Sequence, residues 1–151
     1  ILLGLVGSEM CIRDRSNAML IHLADGSRFL PRDPYDRALA IQWLFFEQYS
    51  HEPFIATIRF WRHLAPPEEL AEHEAEIATR EPRGYDALRV METHLTANSW
   101  FAGSFYSIAD IALYAYTHVA HEGGFDLSNY TNVQAWLERV AAEPRHIPIG
   151  A

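Results

Sequence analysis

"SFYSIADIALYAYTHVAHEGG", residues 104–124, is the stretch of this chain that decides the fold. Ser107 is predicted to be a helix N-cap, and Asp110 lies three residues later, so each side chain can bond to the backbone N–H of the other in a capping box. The body of the segment, Ile108 to Ala120, is apolar on almost every side, which is typical of a helix at the centre of a domain. We therefore expect a bundle built around this helix, which a Gly-Gly pair ends.

Helical patterns also occur before and after this segment. Ser16 is predicted to cap a short helix over residues 16–24 that Gly26 ends. A second helix is predicted to begin at Asp33-Pro34 and to be kinked or broken near His51 by Pro53. A long helix is predicted after Pro67, with a kink near Pro82, and a last helix from Val133 to Ala142. Because no convincing strand pattern occurs after residue 7, the sequence predicts an all-α helical bundle.

Composition limits the classes of protein to which this chain can belong. Its 151 residues are 49% hydrophobic and 21% charged, which is typical of one folded domain. The net charge of −8 argues against a nucleic-acid partner, because phosphate binding needs a clustered positive field. Apolar runs are too short to span a bilayer, and the single cysteine, Cys11, fits a reducing cytosol, so we expect a cytoplasmic protein.

His118 and His121 share a helix face, but without a third ligand in the pattern we predict no metal.

The first fifteen residues, "ILLGLVGSEMCIRDR", fit poorly with the rest of the chain. They have neither the period of a strand nor that of a helix, and they lead into Ser16 without a turn. We interpret residues 1–15 as foreign, a cloning or assembly remnant that resembles translated sequencing-adapter sequence. The alternative is a genuine short strand at "ILLGLVG".

Four motifs together resemble the C-terminal domain of cytosolic glutathione transferases, in a member of bacterial type. "SNAML" (16–20) is similar to the family's Glu/Gln-Ser-x-Ala-Ile box, which closes its thioredoxin-like N-terminal domain, and "GSRFLPRDPYDRA" (26–38) resembles the linker to the first long helix. "WFAGSFYSIADIALY" (100–114) matches the capping-box motif, and "NYTNVQAWLERVAAEP" (129–144) resembles the last helix. The resemblance implies a helical bundle of the glutathione transferase C-terminal domain type over residues 33–151, preceded by a truncated thioredoxin-like remnant over residues 16–32.

The resemblance also implies ligands. In the family, the Ser of the box holds the γ-glutamyl carboxylate of glutathione, so Ser16 and the following Asn17 become the candidate glutathione-binding residues, with glutathione as substrate. This agrees with the attraction of a helix N-terminus for anions, and the alternative is that Ser16 serves only as a cap. For the wall of a hydrophobic electrophile pocket we select Gln48, Tyr49, Glu52 and Pro53; Tyr49 can donate a hydrogen bond, and Glu52 can pair with the glutathione amine or with Arg59.

Several departures from the family bear on activity. Arg15 stands where an acidic or amide residue is expected, and no proline occurs before Pro31 where the family has a cis-proline. The thiol-activating residue of the family would precede residue 1, and Cys11, only five residues before Ser16, is rejected for that role. We therefore expect that this chain lacks the thiol-activating half, has no catalytic residue of its own and is inactive alone.

Two functions remain in competition. The first is that of the helical domain of a glutathione transferase, whose parent conjugates the glutathione thiolate to a hydrophobic electrophile and forms a homodimer. The alternative is a non-catalytic member of the same superfamily that acts as a binding or scaffold protein. A small helical ligand carrier is a third class, which would require tight apolar binding by this chain alone.

Overall fold

Helices form all the regular secondary structure of residues 15–147, which are the residues that the computed structural model describes. No strand occurs among them, so the prediction of an all-α helical bundle is confirmed. The interpretation of residues 1–14, Cys11 included, lies outside the described residues. The elements are α1 (Ser16–Ala24), α2 (Pro34–Phe46), a π-helical turn (Glu47–His51), α3 (Glu52–Arg59), a second π-helical turn (Phe60–Leu64), α4 (Pro67–Leu95), α5 (Ile108–Thr117), a 3₁₀ turn (Ala120–Gly123) and α6 (Thr131–Ala141).

The central helix α5 is held by the predicted capping box. Asp110 accepts a hydrogen bond from the Ser107 N–H at 3.0 Å, and the Ser107 hydroxyl oxygen accepts one from the Ala109 N–H at 3.2 Å. Asp110 also accepts bonds from the Trp136 indole N–H at 3.0 Å and from the Phe101 N–H at 3.2 Å. Because Asp110 is fully buried, this one carboxylate joins the start of α5 to α6 and to the loop before α5.

The second helix begins as the sequence predicts. The Asp33 side chain accepts from the N–H groups of Tyr35 and Asp36, and Pro34 occupies the first turn. Near Pro53 the chain does not break, since the π-helical turn Glu47–His51 carries α2 directly into α3. A π-helical turn holds one residue more than an α-helical turn, and the chain continues through it at the place where a break was predicted.

The long helix α4 runs without interruption from Pro67 to Leu95 and contains Pro82 in its interior. Gly84 lies two residues beyond this proline and contacts the Phe125 ring so closely that a Cβ at Gly84 would be 2.6 Å from it. The close approach lets the loop after α5 pack directly on α4. The core around this contact includes Ile55, Leu88 and Trp136, all fully buried.

The short helix α1 differs from its prediction at its first residue. The N-cap is Arg15, whose backbone is extended and whose carbonyl accepts the first helical bond, from the Met19 N–H at 3.0 Å. Ser16 is already helical, so its predicted role as an N-cap is wrong. Gly26 does end the segment in the left-handed conformation, with φ +72°.

Candidate functional site

The tip of α1 is the first part of the candidate site. Ser16 is exposed as the first helical residue, and the N–H groups of the first turn have no partner within the helix. A helix end of this kind carries a partial positive charge and favours anions. Because Ser16 is the first helical residue rather than the cap, its hydroxyl is free of a capping bond.

The Asn17 side chain fixes this tip to the helical bundle. Its amide nitrogen donates to the Leu44 carbonyl at 3.0 Å and to Oε2 of Glu47 at 2.8 Å. The two acceptors belong to the end of α2 and the start of the π-helical turn. The orientation of Ser16 therefore depends on a contact between residues that are 30 positions apart in the chain.

A cavity of about 350 Å³ adjoins the α1 tip. We call it the tip cavity. Its walls come from the side of α1 and from the exposed face of α5, and they are mostly apolar. The polar residues that line it are Ser16, Asn17, Glu47 and Tyr116. An apolar cleft with a few convergent polar groups is the usual form of a small-molecule site.

Glu47 supplies a buried carboxylate to the tip cavity. Its side chain is only 3% exposed, and both amide donors that reach it, from Asn17 and Gln48, bond to Oε2 at 2.8 Å. Burial raises the pKa of Glu47, against the lowering effect of these hydrogen bonds. Burial, with the nearby carboxylates of Glu52 and Glu47, also raises the pKa of Tyr116, so this phenol remains a hydrogen-bond donor at neutral pH.

His51 anchors the far end of the π-helical turn. It is fully buried, and its Nε2 lies 2.8 Å from the Thr117 hydroxyl oxygen. Because that hydroxyl donates to the Leu113 carbonyl at 2.6 Å, it must accept from His51, which fixes the Nε2–H tautomer. Burial lowers the pKa of His51 to about 3, so the imidazole is neutral.

The residues selected for the electrophile pocket lie on or next to the same π-helical turn but not in the tip cavity. Tyr49 is 76% exposed. Gln48 donates to Glu47, and Pro53 accepts from Arg80 at 3.0 Å through its carbonyl. Glu52 is partly buried, and its pairing with Arg59 is not formed, because Arg59 bonds to Glu122 instead. Of the four side chains, Tyr49 is exposed and the other three are half-buried.

Metal-binding groups and membrane-spanning helices were sought among residues 15–147. No group of three or more His, Cys, Asp or Glu side chains in this range is arranged to hold a metal ion. His118, for example, donates from Nδ1 to the Tyr114 carbonyl at 2.7 Å, while His121 is exposed. Among the same residues, no helix is both long and apolar enough to cross a membrane.

Comparison with known proteins assigns the family. The family described as "Glutathione S-transferase, C-terminal domain" matches residues 36–144. The chain belongs to the glutathione transferase family. The disulfide-bond oxidoreductase YfcG of Escherichia coli K12 is 30% identical over 142 residues, which cover 91% of this chain and 63% of that protein. This glutathione transferase chain therefore spans less than two thirds of that relative's length.

Solved structures of bacterial glutathione transferases share the fold. A glutathione S-transferase from Pseudomonas fluorescens Pf-5 is 53% identical with a TM-score of 0.86, and the match covers 91% of this chain and 67% of that one. A Xanthobacter autotrophicus Py2 enzyme is 46% identical with a TM-score of 0.85, over 90% and 65% of the two chains. A Pseudomonas putida glutathione transferase with one glutathione disulfide bound per subunit is 27% identical, with a TM-score of 0.73 over 86% and 58%.

Sequence reasoning missed Glu47 and Tyr116 as members of the site. A signal for Glu47 was available, since this carboxylate directly follows the apolar run "WLFF" of residues 43–46. A charged side chain in such a segment is either exposed to solvent or buried with hydrogen-bonding partners. Tyr116 gave no such signal, because an aromatic residue in an apolar helix is ordinary core.

Proposed function

We propose that this chain is the helical part of a glutathione transferase and that the α1 tip binds the γ-glutamyl carboxylate of glutathione. Ser16 contributes its backbone N–H and its hydroxyl, and Asn17 holds the tip in place through its bonds to Leu44 and Glu47. The observation that carries the proposal is the conjunction of the α1 N-terminus, with Ser16 as its first helical residue, and the tip cavity beside it. Three related bacterial glutathione transferases have structures with glutathione or its disulfide bound, which agrees with this ligand.

The reaction that we propose for the whole protein is conjugation. The glutathione thiolate attacks an electrophilic carbon, the carbon–sulfur bond forms, and the leaving group departs with the bonding electrons. The thiolate is the reactive species, so the protein must lower the thiol pKa by hydrogen bonding or positive potential. No residue of the described chain is assigned to that task, and we propose that it belongs to a thioredoxin-like half.

The electrophile pocket is proposed at the part of the chain that carries Gln48, Tyr49, Glu52 and Pro53. Tyr49 is well exposed there and can donate a hydrogen bond to a bound electrophile. Tyr49→Phe in the whole protein should raise KM for the electrophile and leave the affinity for glutathione unchanged. An unchanged KM would remove Tyr49 from the pocket, and Tyr35→Phe, a change at another exposed tyrosine, is the control.

A second candidate reaction is glutathione-dependent reduction of disulfide bonds. It is favoured by the similarity to the disulfide-bond oxidoreductase YfcG, at 30% identity. In that reaction one glutathione thiolate attacks a disulfide sulfur, forms a mixed disulfide with it and releases the second sulfur as a thiolate. A second glutathione thiolate then attacks the glutathione sulfur of the mixed disulfide, which gives glutathione disulfide and releases the first sulfur as a thiolate. A non-catalytic binding or scaffold protein is the further alternative, and it needs only the binding step.

Glutathione binding is tested on this chain by NMR or calorimetric titration. Ser16→Ala should weaken binding about tenfold, because it removes one hydrogen bond to a charged group. Ser104→Ala is the matched control, since Ser104 is an exposed serine that does not line the tip cavity. Equal affinities of the two variants would refute the role of Ser16.

Activity is tested on the protein that carries the thioredoxin-like half in front of Ser16. Turnover of an aryl halide supports conjugation, and reduction of a small disulfide at the expense of glutathione supports the oxidoreductase. A folded protein that binds glutathione and does neither is a scaffold. We expect residues 1–151 alone to show no turnover, and clear turnover by this chain would overturn that part of the proposal.

The remaining proposals concern assembly and location. We propose that the whole protein is a cytoplasmic homodimer, as the family resemblance implies. Analytical ultracentrifugation of the whole protein at micromolar concentration tests the oligomeric state, and a monomer would reject the dimer. Fractionation of cells tests the location.

A further inference from the structure

Two carboxylates lie at the first π-helical turn, and no cation balances them. Glu47 is the first residue of this turn, and Glu52 follows its last residue, so that the Glu52 N–H bonds to the Glu47 carbonyl. Among residues 16–147, neither carboxylate forms an ion pair with an arginine or a histidine. Because the buried His51 of the same turn is neutral, the turn carries a net negative charge.

Glu47 is the buried member of this pair, and it lines the tip cavity. Its side chain is only 3% exposed. Both amide donors that reach it, from Asn17 and Gln48, bond to Oε2, so Oε1 has no hydrogen-bond donor among residues 16–147. A buried carboxylate is costly unless donors or a cation compensate it. A ligand group that is both a cation and a hydrogen-bond donor is therefore favoured at this oxygen.

Glu52 is half-buried, and the arginine of its own helix does not neutralise it. That arginine, Arg59, bonds to Glu122 instead. Burial raises the pKa of Glu52. Burial also raises the pKa of Glu47, and the charge of Glu52 adds to this rise, against the lowering by the bonds from Gln48 and Asn17. The two carboxylates thus act on a common space.

Tyr116 of α5 shows that this field reaches the tip cavity. The residue lines the cavity, and burial, followed by the charges of Glu52 and Glu47, raises the pKa of its phenol. A cleft that has charge of one sign and apolar walls attracts ligands of the opposite sign. The same cleft disfavours ligands of its own sign, so the charge also supplies specificity.

We propose that the electrophile conjugated to glutathione carries an ammonium group, which the carboxylates of Glu47 and Glu52 receive. This inference rests on the proposed function and names the class of co-substrate, an apolar compound with a cationic substituent. The tip cavity and the family define the site, and the carboxylates define the charge that it admits. The exposed ring of Tyr49, three residues before Glu52, offers the ammonium a cation–π contact.

The experiment compares two aryl chlorides of opposite charge, (4-chloro-3-nitrobenzyl)ammonium and 4-chloro-3-nitrobenzoate. In both, the thiolate attacks the ring carbon that bears chlorine, the carbon–sulfur bond forms and chloride leaves with the bonding electrons, so the charged substituent takes no part in the bond changes. The protein that carries the thioredoxin-like half is used. Its kcat/KM for each compound is divided by the rate constant of the uncatalysed reaction with glutathione, which removes the difference in intrinsic reactivity.

Three variants remove one negative charge each and keep the size of the side chain. Glu47→Gln and Glu52→Gln change the two carboxylates. Glu74→Gln is the matched control, because Glu74 is exposed on α4 and does not line the tip cavity. Circular dichroism melting shows whether each variant remains folded.

We expect the corrected kcat/KM to favour the ammonium compound at least about tenfold. Glu47→Gln and Glu52→Gln should each lower the value for the ammonium about fivefold, mainly through KM, and raise the value for the benzoate about twofold. Glu74→Gln should change neither by more than about 1.5-fold. A structural loss would lower both values together, so changes in the same direction for the two compounds, or no preference in the unchanged protein, would overturn the proposal.

An NMR titration of this chain without glutathione separates the inference from the proposed function. The ammonium compound should bind more tightly than the benzoate and shift the ring signals of Tyr116, and Glu47→Gln should reduce this difference. If the whole protein turns over neither compound but the chain shows this difference, conjugation is refuted and the charge preference stands. If the chain binds the two compounds equally or binds neither, the charge preference is refuted, whatever the turnover.

Discussion

Replacement of Asp110 by alanine tests the physical centre of the fold. The carboxylate is fully buried and accepts four hydrogen bonds, from the N–H groups of Phe101 and Ser107, the Ser107 hydroxyl and the Trp136 indole. Three separate parts of the chain therefore meet at one side chain. Alanine removes all four acceptor contacts and cannot replace any of them.

The expected loss is the sum of those contacts. Loss of a helix cap costs about 1 kcal/mol. The Phe101 N–H and the Trp136 indole N–H then remain buried without an acceptor, at about 1–3 kcal/mol each. Burial raises the pKa of Asp110, so part of the carboxylate's contribution is already offset by the cost of burying its charge. We therefore expect a decrease of about 3–5 kcal/mol in the free energy of unfolding, a large part of the roughly 5–15 kcal/mol typical of a domain.

Urea unfolding monitored by tryptophan fluorescence and circular dichroism measures this decrease. The midpoint should fall while the slope with urea stays constant. Asp110→Asn keeps an acceptor for Trp136 and should lose only about half as much. The control is Asp86→Ala, since Asp86 is exposed and pairs only with Arg89 on the surface, and its effect should stay within about 0.5 kcal/mol. A loss below about 1 kcal/mol for Asp110→Ala would show that the buried carboxylate does not organise the core.

Three further predictions concern stability. Burial lowers the pKa of His51 from 6.5 to about 3, so between these values only the unfolded chain binds a proton at this imidazole. The free energy of unfolding should therefore fall by about 1.4 kcal/mol per pH unit as the pH drops below 6.5. Urea titrations at about pH 7 and pH 5 measure this slope, and His51→Gln should remove it. Gly84→Ala should lower stability by about 1–3 kcal/mol in thermal melts, despite the better helix propensity of alanine, because the new Cβ meets Phe125. Glu92→Ala should cost about 1–3 kcal/mol in the same melts, since the Glu92 carboxylate accepts from the backbone and amide of Asn132 at the start of α6; an unchanged melting temperature would contradict the role of this contact.

Local signals in the sequence predicted most of the helix ends. The capping box of Ser107 and Asp110, the Asp33 cap and the left-handed Gly26 depend on residues close together in the chain, so a pattern of a few letters defines them. Ser16 failed as an N-cap because the choice between neighbouring residues depends on backbone angles, and Arg15 has the extended ones. The preference of serine for the N-cap position alone cannot decide whether the helix is capped by residue 15 or by residue 16.

The candidate site was predictable only in part, for a related reason. Ser16 and Asn17 were selected from the family resemblance, and the structure adds where the Asn17 amide goes. Its partner Glu47 is 30 residues away, and no local pattern pairs an amide with a carboxylate at that distance. The tip cavity arises from the packing of several segments, so its walls could not be read from any one of them.

The two π-helical turns share a position relative to proline, and the first of them carries the helix through Pro53. Each turn ends just before an X-Pro pair: Glu52 precedes Pro53, and Ala65 precedes Pro66. In both places the last N–H before the proline bonds to a carbonyl five residues back, from Glu52 to Glu47 and from Ala65 to Phe60.

A proline inside a helix removes one N–H and collides with the carbonyl four residues earlier, and a wider turn relieves that collision without ending the helix. At Pro53 the wider turn lets α2 continue into α3. Glu47 and His51 are four residues apart and so lie on the same side of this continuous segment, where Glu47 bonds to Asn17 at the α1 tip and His51 to Thr117 of α5. The proline that a helical pattern marks as a break is thus accommodated within the helix whose inner side carries the carboxylate beside Ser16.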